Sequence, residues 1–189
     1  GQKMKCLATI SLLLISWLTT AQVQSEYFLQ KAAENYQDQE YNKVIDNAKR
    51  TLNLDSTKEN AYHLLSSGYL KQEKWSEGIT YAQLGLKHFP KSTGLHWLVA
   101  EGALQSKNYQ LAASHYQKVK TYFPGQKGIS GVVSIKKINV RLGECYTQLA
   151  DAARKSGNKE EALFYFKKAN QALKENEFSY INLAFAYAS

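Results

Sequence analysis

Pro90 and Pro124 are the only prolines in this chain of 189 residues, and they stand 34 residues apart. The same step links Tyr41, Trp75 and Tyr109, and it carries Leu52 to Leu86. A period of this length confines the fold to repeated supersecondary units, each a pair of antiparallel helices. Each unit exposes apolar surface on two sides, so a lone copy is unstable and neighbours must stack. The expected fold class is therefore all-α, an α-solenoid, and a binding scaffold becomes the leading functional reading.

Cutting the chain every 34 residues brings out the pattern. Residues 59–92 present Tyr62, Leu65, Ser66, Tyr69, Trp75, Gly78, Ala82, Gly85 and Pro90. Residues 93–126 follow with His96, Val99, Ala100, Tyr109, Ala112, Tyr116, Val119 and Pro124. Residues 25–58 are a weaker copy, with Phe28, Ala32, Tyr41, Val44 and Ala48, and with Ser56 in the proline position. Small residues at repeat positions 8 and 20 let paired helices approach closely, and large ones at 4, 17 and 24 fill the gaps beside them. Proline at position 32 ends the second helix, because it lacks an amide donor and disfavours helix in the residue before it. This pattern resembles the tetratricopeptide repeat (TPR) family, and the resemblance implies a right-handed TPR superhelix.

After residue 126 the register breaks. Ala112 finds its next counterpart at Ala162, which places an insertion at residues 127–142 before a repeat at 143–176. That repeat carries Tyr146, Leu149, Ala150, Ala153, Ala162, Phe166 and Ala169, with Lys159 in place of the aromatic at position 17. Val132, Val133, Ile135 and Ile138 fall near helical spacing, which predicts a longer first helix entered through a loop at 125–131. A β-hairpin is the alternative for the same stretch. A partial repeat, 177–189, has Tyr180, Leu183, Ala184 and Tyr187 but no second helix. Solenoids normally close with a polar capping helix, so the sequence reads as part of a longer protein, or as ending in an imperfect cap.

The start of the chain has a different character. Lys3 and Lys5 precede an apolar run, residues 6–18, and Thr19, Thr20 and Ala21 lead into polar sequence at Gln22. A positive start, a short apolar core and small residues before a polar junction describe a secretory signal peptide, here residues 1–21 with cleavage after about Ala21. Residues 1–3, before Met4, read as vector-derived or upstream sequence. A bilayer span needs about 20 apolar residues, so no transmembrane helix is expected in the mature chain, residues 22–189. Export, to a periplasm in a bacterial envelope, is the expected localisation. Cleavage would leave Cys145 as the one cysteine, so helix packing rather than a disulfide must hold the domain.

In the family, first helices line the concave face through positions 2, 5, 6, 9, 12 and 13. The resemblance implies a partner-binding face that includes His63, Ser67, Lys71, Trp97, Glu101, Gln105, Asp151 and Arg154. Trp97 suits a peptide anchor, although it could instead pack on a neighbouring repeat or on the inserted helix. Position 5 holds Leu29, His63, Trp97 and Thr147, and position 9 holds Ala33, Ser67, Glu101 and Asp151. The Lys and Asn clamp by which some relatives grip a terminal carboxylate is therefore missing.

Net charge is +8, and no acid occurs between Glu101 and Glu144. Lys118, Lys120, Lys136, Lys137 and Arg141 make that stretch a basic surface that could attract an acidic protein, an anionic glycan or a membrane surface. No nucleic-acid-binding motif is present. His63, His88, His96 and His115 lack paired metal-ligand spacing, and no phosphate loop or nucleophile elbow occurs. Neither catalysis, metal nor cofactor is expected. The functional expectation is an exported scaffold holding a protein or peptide segment. The alternatives are the periplasmic repeat arm of a larger outer-membrane or envelope-assembly protein, and a cell-wall or glycan binder.

Overall fold

The computed structural model describes residues 2–123 and 135–174, with side chains from residue 20 onward. Among these residues every regular element is an α-helix: α1 (Gln2–Gln37), α2 (Tyr41–Leu54), α3 (Glu59–Lys71), α4 (Trp75–His88), α5 (Thr93–Gln105), α6 (Tyr109–Tyr122), α7 (Ile135–Lys155) and α8 (Lys159–Leu173). Pro124, the expected loop at 125–131 and the partial repeat 177–189 lie outside the described residues. The chain forms two compact units, Gly1–Lys74 and Trp75–Ser189. In the first, α1 packs on α2, and α3 packs on both. In the second, α4 to α8 each pack on the next.

The buried positions are those the repeat pattern marks. Ala32, Val44, Ala48, Leu65, Ser66, Ala82, Val99, Ala100, Ala112, Tyr116, Ala150 and Ala169 are all buried. Leucine, valine and tyrosine supply most of the stabilising area, about 1.5–3 kcal/mol for each large side chain fully withdrawn from water. The alanines and Ser66 contribute little area and act by letting helix axes close up. Close approach is sharpest at Gly143, where a Cβ would fall 2.5 Å from Leu173 Cγ on the facing helix α8.

Four turns between paired helices share one backbone device. Gln39, Glu73, Lys107 and Gly157 have φ of 61°, 60°, 62° and 80°. They are spaced by the repeat step, lengthened once by the insertion. At each turn the left-handed residue donates its amide to a carbonyl three residues back, and the next residue donates to one five back. After α5 these bonds are Lys107 N to Leu104 O, 3.0 Å, and Asn108 N to Ala103 O, 2.8 Å. This is the Schellman arrangement, which satisfies carbonyls that the helix end leaves open. Asn108 and Asn158 then cap the following helices, their side-chain oxygens accepting from Leu111 N and Glu161 N.

Only the last of the four uses glycine, the residue that enters the left-handed region without a steric penalty. Lys107→Gly should therefore stabilise the second unit by up to about 1 kcal/mol, and Gly157→Ala should destabilise it by a similar amount. Thermal unfolding followed by circular dichroism reads both. A fall in Tm for Lys107→Gly would count against the backbone account.

Where residues 25–58 lack the family proline, a side chain makes the turn instead. Asp55 Oδ1 accepts from Thr57 N at 2.9 Å and from Thr57 Oγ1 at 2.6 Å. Helix α1 runs unbroken across the junction between Ala21 and Gln22. Helix α7 begins eight residues ahead of the repeat at 143, so residues 135–142 are helical, and Ile138, Asn139 and Leu142 there are buried. No helix among the described residues is long and apolar enough to cross a membrane.

Candidate functional site

In the first unit, α1 and α3 present matching stripes. Glu26, Leu29, Gln30 and Ala33 recur at helical spacing on α1, and Asn60, His63 and Leu64 recur on α3. These seven side chains line one groove of about 550 Å³. Leu29, Ala33 and Leu64 make its apolar surface. Two amides, an imidazole and a carboxylate surround them.

Neighbouring interactions fix the polar groups. His63 Nε2 lies 3.4 Å from Glu59 Oε1. Burial holds the His63 imidazole below its usual pKa and outweighs the opposing pull of Glu59, so it is neutral at pH 7. Glu26 pairs with Lys58, whose ammonium also lies 3.7 Å from Asp55. Gln30 Nε2 donates to Glu34 Oε1 at 3.0 Å, and Glu34 pairs with Lys31 at 2.8 Å. The groove is thus a neutral apolar strip with hydrogen-bonding edges, suited to an extended chain with at least one apolar side chain.

Ser67, one turn further along α3, is half-buried, and Lys71 is exposed at the end of that helix. The positions singled out in the second unit have other neighbours. The Trp97 indole sits edge-on to Tyr116, ring centroids 5.3 Å apart, and the Lys137 ammonium lies 5.0 Å from its ring centroid. Trp97 therefore packs within its own helix pair and under the inserted part of α7. Glu101 accepts from Tyr116 OH at 2.5 Å, and Arg141 Nε lies 3.3 Å from the same carboxylate. Arg141 also reaches Glu144 at 3.0 Å. Gln105 is exposed, and Arg154 and Asp151 pair along α7 at 3.4 Å.

The basic positions divide in the same way. Lys118, Lys136 and Lys137 are exposed. Lys120 is half-buried and donates to Asn139 Oδ1 at 2.8 Å, while Arg141 is committed to Glu101 and Glu144. Cys145 is fully buried, and burial pushes its thiol up to about 12, which makes it a packing residue rather than a nucleophile. Glu26 and Gln30 were not among the residues singled out from the sequence, although positions 2 and 6 of the weak first copy point to them. No group of three or more metal-ligating side chains occurs among the described residues.

No family model and no curated protein matches the sequence. Solved structures do match its fold. The crystal structure of MamA superposes with a TM-score of 0.61 at 18% identity, covering 94% of this chain and 92% of that one. YrrB, described as a TPR protein with an unusual peptide-binding site, gives 0.58 at 17% identity, over 85% and 75%. The first TPR domain of human RPAP3 gives 0.59 at 13% identity, over 68% and 94%. At such identities the likeness speaks for the fold alone, and it agrees with the helix pairs and their turns: the chain has the all-α fold of the tetratricopeptide repeat.

Proposed function

We propose that the protein is a non-catalytic TPR scaffold, exported by its N-terminal segment, that binds an extended protein segment along the first helices of its repeats. The supporting observation is the groove of about 550 Å³ between α1 and α3, lined from positions 2, 5, 6 and 9 of the first repeat and positions 2, 5 and 6 of the second. Such spacing offers a pocket for an apolar side chain and, beside it, amides for the backbone of the bound segment. Gln30, Asn60 and His63 supply hydrogen bonds without net charge, and Glu26 with Lys58 closes one edge. In the second unit, taken by itself, Asp151 holds position 9, Arg154 position 12 and Gln105 position 13, which the family also turns to its concave face.

A photo-reactive residue at position 64 should cross-link a partner that one at exposed Lys87 does not. Mass spectrometry then identifies the partner and its segment. The pair Leu29→Glu and Leu64→Glu should weaken binding of a peptide from that segment by at least about tenfold, since two apolar contacts are lost. Helical circular dichroism should be unchanged. Undiminished binding by the double variant would place the site elsewhere. Export is tested separately, by fusing residues 1–24 to a reporter active only outside the cytoplasm.

A further inference from the structure

A second cavity, of about 300 Å³, lies in the second unit among α6, α7 and α8. Two lysines line it, Lys120 from α6 and Lys168 from α8, and no carboxylate does so among the described residues. Each ammonium is held in place by neutral groups, and no carboxylate among the described residues pairs with it. Lys120 Nζ donates to Asn139 Oδ1 at 2.8 Å, and Asn139 is itself buried. Lys168 Nζ lies 5.5 Å from the Tyr146 ring centroid and 4.5 Å from that of Phe164. An amide and two ring faces orient these cations, yet they leave most of the N–H donors available.

The remaining lining has the same polarity. Gln117 Nε2 donates to Tyr146 OH at 3.3 Å, which leaves the phenol proton to be given to an acceptor. Gln171 adds a further amide, and Leu142 supplies an apolar wall. Between Glu101 and Glu144 the sequence has no acid, so no carboxylate on α6, or on α7 before Glu144, opposes the field. Two positive charges in a concave, partly desolvated setting attract an anion more strongly than the same charges on an open surface.

This cavity is separate from the peptide surface. Gln117, Lys120, Lys168 and Gln171 come from second helices of their repeats, and Tyr146 from a packing position of α7. We propose that it is a binding site for a doubly charged oxyanion, in chemical terms a phosphate group. The two ammonium groups would balance its charge, and Tyr146 with the glutamine amides would donate to its remaining oxygens. The ligand is either free phosphate or a small phosphate monoester, for whose carbon substituent Leu142 offers apolar surface.

Isothermal titration of the whole protein with sodium phosphate, and separately with glycerol phosphate, at constant ionic strength tests the proposal. Saturable binding near one per chain is expected. Lys168→Met, which leaves the bond between Lys120 and Asn139 intact, should weaken it by about tenfold, as expected for one lost charge-assisted hydrogen bond. The double variant K120M/K168M should abolish it. Lys118→Met, an exposed lysine outside the cavity, should leave it unchanged. Tighter binding of glycerol phosphate identifies an ester as the ligand class, and equal binding identifies phosphate itself. The proposal is overturned by heats that do not saturate, or by equal affinity in wild type and a Lys168→Met variant with unchanged circular dichroism.

Discussion

Glu101→Ala should destabilise the second unit by about 2–4 kcal/mol, a larger effect than the loss of an ordinary surface carboxylate. Tyr116 is fully buried, and its hydroxyl reaches the Glu101 carboxylate at 2.5 Å. Burial, and then the adjacent carboxylate, hold the phenol well above its usual pKa, so it remains a proton donor at every pH the fold survives. Removing the acceptor strands a polar group in the core, a penalty of about 1–3 kcal/mol. The half-buried Arg141 loses one of two carboxylate partners, which adds about 1 kcal/mol once solvent screening is allowed for. Two companions separate these parts. Glu101→Gln keeps an acceptor for Tyr116 and should cost well under the alanine variant. Tyr116→Phe leaves Glu101 paired with Arg141 and should cost about 1–2 kcal/mol. Urea denaturation gives all three, with Trp97 fluorescence as a local probe because its indole rests on Tyr116. If Glu101→Ala left the midpoint unmoved but lowered peptide binding, the carboxylate would be a partner contact and not a structural one.

This network shows where the sequence stops being legible. The positions of the small residues, of Pro90 and of the aromatics opening α2, α4 and α6 encode helix pairs, because each must satisfy a packing or capping rule that depends on residue type. The α1–α3 groove was legible only in part: helical spacing decides which side chains share a face, and the repeat positions named His63 but not Glu26 and Gln30. The Glu101–Tyr116–Arg141 cluster joins residues from three helices, and Arg141 lies within the insertion itself. A repeat pattern states that position 24 is large and buried; it does not state where the hydroxyl of a tyrosine there finds its acceptor. Trp97 carried both expectations, peptide anchor and internal packing. The geometry shows the second contact, since α7 begins early enough for Lys137 to cover its ring. The left-handed turn position was half hidden, because three of its four occupants are Gln, Glu and Lys, which give no compositional signal.

Acidification from pH 6.5 to about 4 should destabilise the second unit through a pair that periodicity did not reveal. His96 and His115 are both buried, with Nδ1 atoms 2.9 Å apart, and His96 Nε2 lies 3.0 Å from Pro90 O. A carbonyl can only accept, so His96 carries its proton on Nε2. Its Nδ1 is then bare in the neutral ring, and the proton between the rings belongs to His115 Nδ1. A second proton would put positive charge into a buried site with Lys118 nearby and the Tyr122 ring 5.7 Å from His96. Burial first, then His96 and Lys118, push His115 down to about 4, and burial also lowers His96. In the unfolded chain these groups titrate near 6.5. Between the two values the unfolded state binds more protons, so stability falls as pH falls; the contribution is complete above 6.5 and fully lost below about 4. For His115 the effect is on the order of 3 kcal/mol. Glu34, Glu40 and Asp55 are held below the ordinary carboxylate range by their partners, so their losses come later in acid and leave pH 6.5–4.5 mainly to histidine. His63 acts in the same direction in the other unit, and for that reason the test is a difference. The double variant H96F/H115L should show a flatter dependence of the urea midpoint on pH than wild type across that window, whatever its stability at pH 7. Equal slopes would mean that the pair titrates alike in the folded and unfolded chain, and a steeper fall in the variant would mean that the folded pair already holds a proton at neutral pH; either result overturns the neutral, tautomer-matched pair.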